Sequence, residues 1–235
     1  MHSSSPTTVP QHPLGRALLL ALAALTSGHA TARHLDNESE WVGEHDPAEA
    51  WSLVNGSVLL VMNGTALEIV AKDMSLVGLE GSTVRSSGNS TPAVSLAGRS
   101  ELEAWDSHVH GGVTLETGAL GFLAGGSIQV TAAGLAPDET SSVGIDIGEA
   151  SPMDYSTGMA FDLAAASLRV EDAPVATSRF ESGIGVRMRS GRSGLSHGSQ
   201  VDAANIGVLM WGTYPAAHHL RLGIDASTVR SGRGA

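Results

Sequence analysis

The feature that most restricts this chain is a recurring pair of apolar residues separated by one small or polar residue. The pairs are Val94/Leu96, Val113/Leu115, Val143/Ile145, Met159/Phe161, Ile184/Val186 and Ile206/Val208. A period of two places both members of a pair on the same face of a strand. From Val94 to Ile206 the mean step is about 22 residues, with individual steps of 16 to 30. Repetition at that interval marks stacked supersecondary units, none of which can bury its apolar face without neighbours. Further doublets follow at Ile128/Val130, Leu168/Val170 and Leu222/Ile224. Gly111-Gly112, Gly125-Gly126, Ala136-Pro137-Asp138 and Ser190-Gly191 supply the backbone conformations that sharp corners need.

A second echo reinforces the repeat. Gly81-Ser82-Thr83-Val84-Arg85-Ser86 is matched by Ala226-Ser227-Thr228-Val229-Arg230-Ser231. No segment after residue 60 sustains a helical apolar period, and the helix candidates are the N-terminal segment and Pro47 to Trp51, with Asp46 as its cap. The residues therefore predict an all-β chain in which each short strand pairs in parallel with its counterpart one coil away. Composition agrees: 29 glycines and 4% aromatic residues suit thin stacked layers better than one large core. The segment from His34 to Asn63, with Trp41 and Trp51, departs from the pattern and is expected to cap the first coil.

The N-terminus reads as an address. Ala17 to Leu25 is an unbroken apolar run behind Arg16, too short to span a bilayer, and Ala30-Thr31-Ala32 has the small-x-small form of a signal-peptidase site. The expected organisation is a signal peptide over residues 1–32, a cap region over 33–64 and β-helical coils over 65–235, with no transmembrane segment in the mature chain. Four Asn-x-Ser/Thr triplets, at Asn37, Asn55, Asn63 and Asn89, fit glycan acceptors but also arise by chance in a chain of this composition. The chain has no cysteine, which excludes a disulfide framework and thiolate-bound metal. Its net charge is −11 with Lys72 as the only lysine, so no basic stripe for nucleic acid is evident.

Residues 91–112, TPAVSLAGRSELEAWDSHVHGG, combine an apolar doublet, a glycine, Ser-Glu-Leu and a closing Gly-Gly. This segment resembles a rung of the pertactin-like autotransporter passengers. Gly183-Ile184-Gly185-Val186 and Asn205-Ile206-Gly207-Val208 are similar in style to other rungs. The resemblance implies a right-handed parallel β-helix, exported and displayed at the bacterial surface as a monomeric, non-enzymatic adhesin or virulence factor. Its partner would be a host cell-surface or matrix protein. No amphipathic strand series of an outer-membrane barrel follows, so the chain is expected to be an incomplete passenger. Adhesion in that family is associated with an Arg-Gly-Asp loop; here Arg233-Gly234-Ala235 lacks the acidic residue, and no binding residue is carried over.

Each chemical constellation has a plainer reading beside it. Gly194-Leu195-Ser196-His197-Gly198 fits the nucleophile-elbow pattern, which requires a helix that the sequence does not predict here. Asp106, His108 and His110 alternate along a presumed strand at a spacing that suits a divalent metal, but no fourth ligand is apparent. His218 and His219 read as surface residues. Asp146, Asp162 and Arg187 occupy similar positions in their repeats and suit a β-helical polysaccharide lyase or hydrolase, the alternative function, although no aromatic platform for sugar rings is evident. No catalytic, cofactor-binding or metal residue is assigned, and no cofactor is implied.

Overall fold

The computed structural model describes residues 32–86, 92–131, 142–148, 158–171, 182–211 and 220–232. All belong to one compact unit, Ala32–Ala235. The signal peptide, Asn89, Ala136-Pro137-Asp138, His218-His219 and Arg233-Gly234-Ala235 lie outside or at the margin of these residues.

Among the described residues there are only strands, and they recur in a fixed cycle of three. The first coil holds β1 (Arg33–Asp36) and β2 (Ser39–Val42); the second holds β3 (Trp51–Val54), β4 (Val58–Met62) and β5 (Thr65–Ala66). The third holds β6 (Ile69–Ala71), β7 (Leu76–Glu80) and β8 (Thr83–Arg85), and the fourth β9 (Val94–Leu96), β10 (Glu101–Trp105) and β11 (His108–His110). The fifth holds β12 (Val113–Leu115), β13 (Leu120–Ala124) and β14 (Ser127–Val130). The last three coils are β15 (Val143–Ile147), β16 (Ala160–Ala164), β17 (Ser167–Val170); β18 (Ile184–Met188), β19 (Arg192–Ser196), β20 (Gln200–Ala203); and β21 (Ile206–Met210), β22 (Arg221–Ile224), β23 (Thr228–Ser231).

Every third strand pairs in parallel, giving sheet A from β1 to β21, sheet B from β2 to β22 and sheet C from β5 to β23. This is the parallel β-helix that the doublets predict. The core is a set of inward columns: Val94 stacks on Val113 and Leu96 on Leu115 in sheet A, while Ile128 stacks on Leu168 and Val130 on Val170 in sheet C. All of these side chains are buried. The two copies of Ser-Thr-Val-Arg-Ser occupy the same place in the third and eighth coils, at the entry to β8 and β23.

Three details differ from the sequence expectation. The doublet stacked beneath Val113/Leu115 is Ile145/Ile147 rather than Val143/Ile145, because β15 begins two residues ahead of β12; Val143/Ile145 stacks instead on Ile184/Val186 in the next coil. Phe161, with Leu222 and Ile224, belongs to sheet B, so those doublets mark a different wall of the coil from the rest. No helix forms at Pro47 to Trp51. Trp51 opens β3, and Asp46 instead accepts the Gly43 N–H at 2.7 Å to close a turn. Within 33–64 the strands pair in the common parallel register, with Arg33 opposite Trp51 and Ser39 opposite Val58.

Corners explain much of the remaining sequence. Asn37, Asn55 and Asn63 all have φ near +54°, the left-handed conformation that asparagine tolerates, and a hydroxyl residue follows two positions later. After Asn55, Ser57 is buried and donates to the Val54 carbonyl at 2.6 Å. Ser75 and Ser100 donate likewise to Lys72 and Ala97 in the next two coils. At Asn37, Asn55 and Asn63 the triplets that read as glycan acceptors thus also begin at corners of the coil. A buried serine satisfies the orphan carbonyl left where strand pairing breaks.

Candidate binding surface

With the inward positions filled by core, chemistry falls to the outward columns of the three sheets. In sheet A, Thr114, Asp146, Arg187 and Leu209 are successive outward neighbours. Arg187 binds Asp146 through Nε at 2.9 Å and Nη2 at 2.5 Å, and Arg189 Nη2 approaches the same carboxylate at 3.6 Å. Asp162, by contrast, lies in sheet B, between Phe122 and Gly194, with Arg192 at 3.9 Å. The three residues weighed for polysaccharide chemistry are therefore divided between two walls. Asp146 and Arg187 satisfy each other as a bidentate pair, a structural role in a partly buried setting.

The elbow pattern also has a structural explanation. Gly194 and Ser196 lie within β19, His197 and Gly198 form the corner, and β20 follows. That is strand, turn, strand, whereas an elbow needs a helix after the serine. His197 Nδ1 lies 2.9 Å from Ser196 Oγ, and Ser196 Oγ also reaches the Leu163 carbonyl at 3.4 Å.

Sheet C is the polar wall. His108 and His110 project outward from β11, whereas Asp106 is the left-handed corner residue before the strand, with φ of 46°. His108 Nδ1 is 2.9 Å from Ser127 Oγ in the next coil. Through successive registers Arg85, His110, Gln129, Arg169, Asp202 and Arg230 form one outward column. Its last members line an open groove of about 550 Å³ with Glu171, and Arg230 stands 4.0 Å from Asp202. Desolvation, then the positive charges of Arg85 and His108, lower the pKa of His110 below its ordinary 6.5. The folded chain thus favours neutral His110 more than the unfolded chain does, so its stabilising effect is present above pH 6.5 and is lost as pH falls through the depressed value. His110→Gln is expected to shrink the loss of thermal stability between pH 7.5 and pH 5; equal losses in both proteins would contradict this.

Sheet B differs from both. Of the nine large apolar side chains left exposed among the described residues, five, Trp41, Leu60, Met62, Trp105 and Leu120, lie on its outer face, with Trp41 61% and Trp105 51% exposed; Met74, Met210, Trp211 and Ile224 lie elsewhere. They are neighbours through the registers of the first five coils: Trp41 is opposite Leu60, Met62 opposite Glu80, Glu80 opposite Trp105, and Glu101 opposite Leu120. Trp105 and Phe122 meet edge to face with centroids 5.2 Å apart. A Cβ at Gly78 would stand 2.6 Å from Leu60 Cδ2, so that glycine lets Leu60 lie flat across the sheet. Sheet B thus brings Trp105 and Phe122 into an aromatic contact that the sequence did not make evident.

The signal for Trp105 is present in the sequence. In Glu101-Leu102-Glu103-Ala104-Trp105 the tryptophan shares the parity of the two glutamates and must point out with them. For Val58-Leu59-Leu60-Val61-Met62 there is no such contrast, since every residue is apolar and only the coil decides which ones are buried. Clustered exposed apolar side chains mark an interaction site more often than scattered ones do. Among the described residues, no helix is long and apolar enough to cross a membrane, and no cluster of three or more His, Asp or Glu is arranged to hold a metal ion. No protein-family model, curated protein or solved structure matches this chain; what it can be assigned to is an architecture, the all-β parallel β-helix.

Proposed function

We propose that this chain is a non-enzymatic, exported bacterial surface adhesin, the passenger part of a pertactin-like autotransporter, and that the outer face of sheet B is its contact surface for a host cell-surface or matrix protein. The observation that carries this reading is the gathering of Trp41, Leu60, Met62, Trp105 and Leu120 on one wall of the stack. The N-terminal export pattern, the rung-like segment 91–112 and the lack of cysteine support it, because a chain that crosses a second membrane unfolded gains from having no locked loops. Tryptophan is among the residue types that most often dominate a protein contact.

The test is binding of the purified chain to epithelial cells and to immobilised matrix proteins. Saturable binding at micromolar concentration is expected, and the double variant Trp41→Ala/Trp105→Ala should weaken it at least about tenfold while leaving the circular dichroism unchanged. No saturable binding, or a double variant that binds as well as the parent, would remove sheet B from the proposal. A parallel screen for unsaturated or reducing-end products on a glycan panel would reveal polysaccharide chemistry, and product formation would displace the adhesin reading.

A further inference from the structure

The outer face of sheet B is acidic as well as apolar, and the placing of its carboxylates restricts what can lie on it. Glu101 and Glu103 are two residues apart on β10, hence about 7 Å apart on one face. Glu80 of the neighbouring strand β7 registers with Trp105, the next outward position after Glu103. Glu101 and Glu103 thus lie in line along β10 at the spacing of alternate side chains in any extended chain, and Glu80 stands one strand, about 4.8 Å, to the side of the next outward level. None of them enters an ion pair among the described residues. Each is bracketed along the stack by apolar or small positions: Leu76 and Leu120 around Glu101, Gly78 and Phe122 around Glu103, Met62 and Trp105 around Glu80.

We infer that the partner presents an extended segment with arginine or lysine at every second position, laid along β10. This rests on reading sheet B as the contact face and adds the chemistry of its occupant. A long basic side chain fits each bracket: its aliphatic stem covers the neighbouring apolar residues, and its cation meets the carboxylate. A guanidinium also stacks on an aromatic face. The chain already contains that arrangement once, where the Arg33 guanidinium lies 5.0 Å over the Trp51 ring and binds Glu40 at 2.7 Å. Five strands about 4.8 Å apart and five residues wide make a patch of roughly 270 Å², the footprint of a segment and well below the ~800 Å² per partner of a standard interface.

Other occupants fit less well. A second copy docked about the centre of the patch would set carboxylate against carboxylate. Docked so that Glu101 faces Arg192 or Arg221, which continue the same outward column, it would leave Trp41, Leu60 and Met62 uncovered. Anionic glycans and lipid headgroups meet three unpaired carboxylates on a chain of net charge −11.

Two seven-residue peptides of identical composition, capped at both ends, provide the test: Val-Arg-Val-Arg-Val-Arg-Val and Arg-Val-Val-Arg-Val-Val-Arg. Extended, the first shows three arginines on one face and the second at most two. Calorimetric titration of the full chain should give at least fivefold tighter binding for the first. Glu101→Gln/Glu103→Gln should abolish that preference, and Glu116→Gln, at a corner, should leave it intact. Equal binding of the two peptides, or equal loss with Glu116→Gln, would show charge attraction without a site and overturn the inference. So would a doubled mass in solution or binding of neutral oligosaccharide that Trp105→Ala removes. If cell binding needs Trp41 and Trp105 but survives Glu101→Gln/Glu103→Gln, the contact face stands and the basic segment falls; if it needs neither pair, both fall.

Discussion

Gly126→Ala is expected to destabilise the β-helix by about 3 kcal/mol or more, whereas Gly198→Ala, at the corresponding corner two coils on, should cost only about 1 kcal/mol. Both glycines have positive φ, +68° and +82°. They differ in what a methyl group would meet. At Gly126 it would run into the Ser107 carbonyl and stand 2.6 Å from the Ser107 nitrogen, whereas at Gly198 nothing lies within 4 Å. The backbone of one coil rests directly on that of the next at Gly126, and Ser127 N–H donates to that same Ser107 carbonyl at 3.0 Å. Relief of the clash would pull β14 away from β11, weakening the wall that carries His108 and His110. Urea denaturation of the two variants separates the left-handed penalty, common to both, from the clash. Equal midpoints would mean that the coils are not in contact at this corner.

Phe161→Ala should cost about 3–5 kcal/mol, the range for emptying a buried aromatic site. Phe161 is fully buried, and its inward neighbours in sheet B are small: Gly121 on one side and Ser193 on the other. Its ring occupies the space over Gly121, where an added Cβ would collide with it. Three coils therefore share one large side chain, and removing it leaves a cavity that rigid stacked strands close poorly. Gly121→Leu alone should also destabilise, by overpacking. Combined with Phe161→Ala it should recover a measurable part of the loss, since the two positions compete for one volume. Additive losses in the double variant would contradict the packing described here.

These two sites show where local pattern stops being informative. The alternation in Val94-Ser95-Leu96 or Ile128-Gln129-Val130 announces strands with one buried face, and the structure places them so. Phe161 and Met159 carry the same signal, yet β16 lies in sheet B, because the doublet pattern does not record which wall of the coil a strand occupies. Ile145/Ile147, rather than Val143/Ile145, continues the column of Val113/Leu115, because a strand with three alternate apolar residues leaves two registers open. Corner signals were more legible than their meaning. Asn55-Gly56-Ser57 is recognisable as a triplet, but only the buried Ser57 hydroxyl and its bond to Val54 show that the triplet turns the chain.

The sequence by itself determined that this chain folds as stacked parallel strands, because period-two burial and glycine-marked corners are encoded within a few residues of each other. What only the tertiary structure decided is which outward side chains become neighbours. Glu80 and Trp105, or Asp146 and Arg187, are adjacent across strands yet lie one whole coil apart in the chain. That adjacency is set by the length of every corner and loop between them, and so is the outer face on which Trp41, Glu101 and Trp105 stand together.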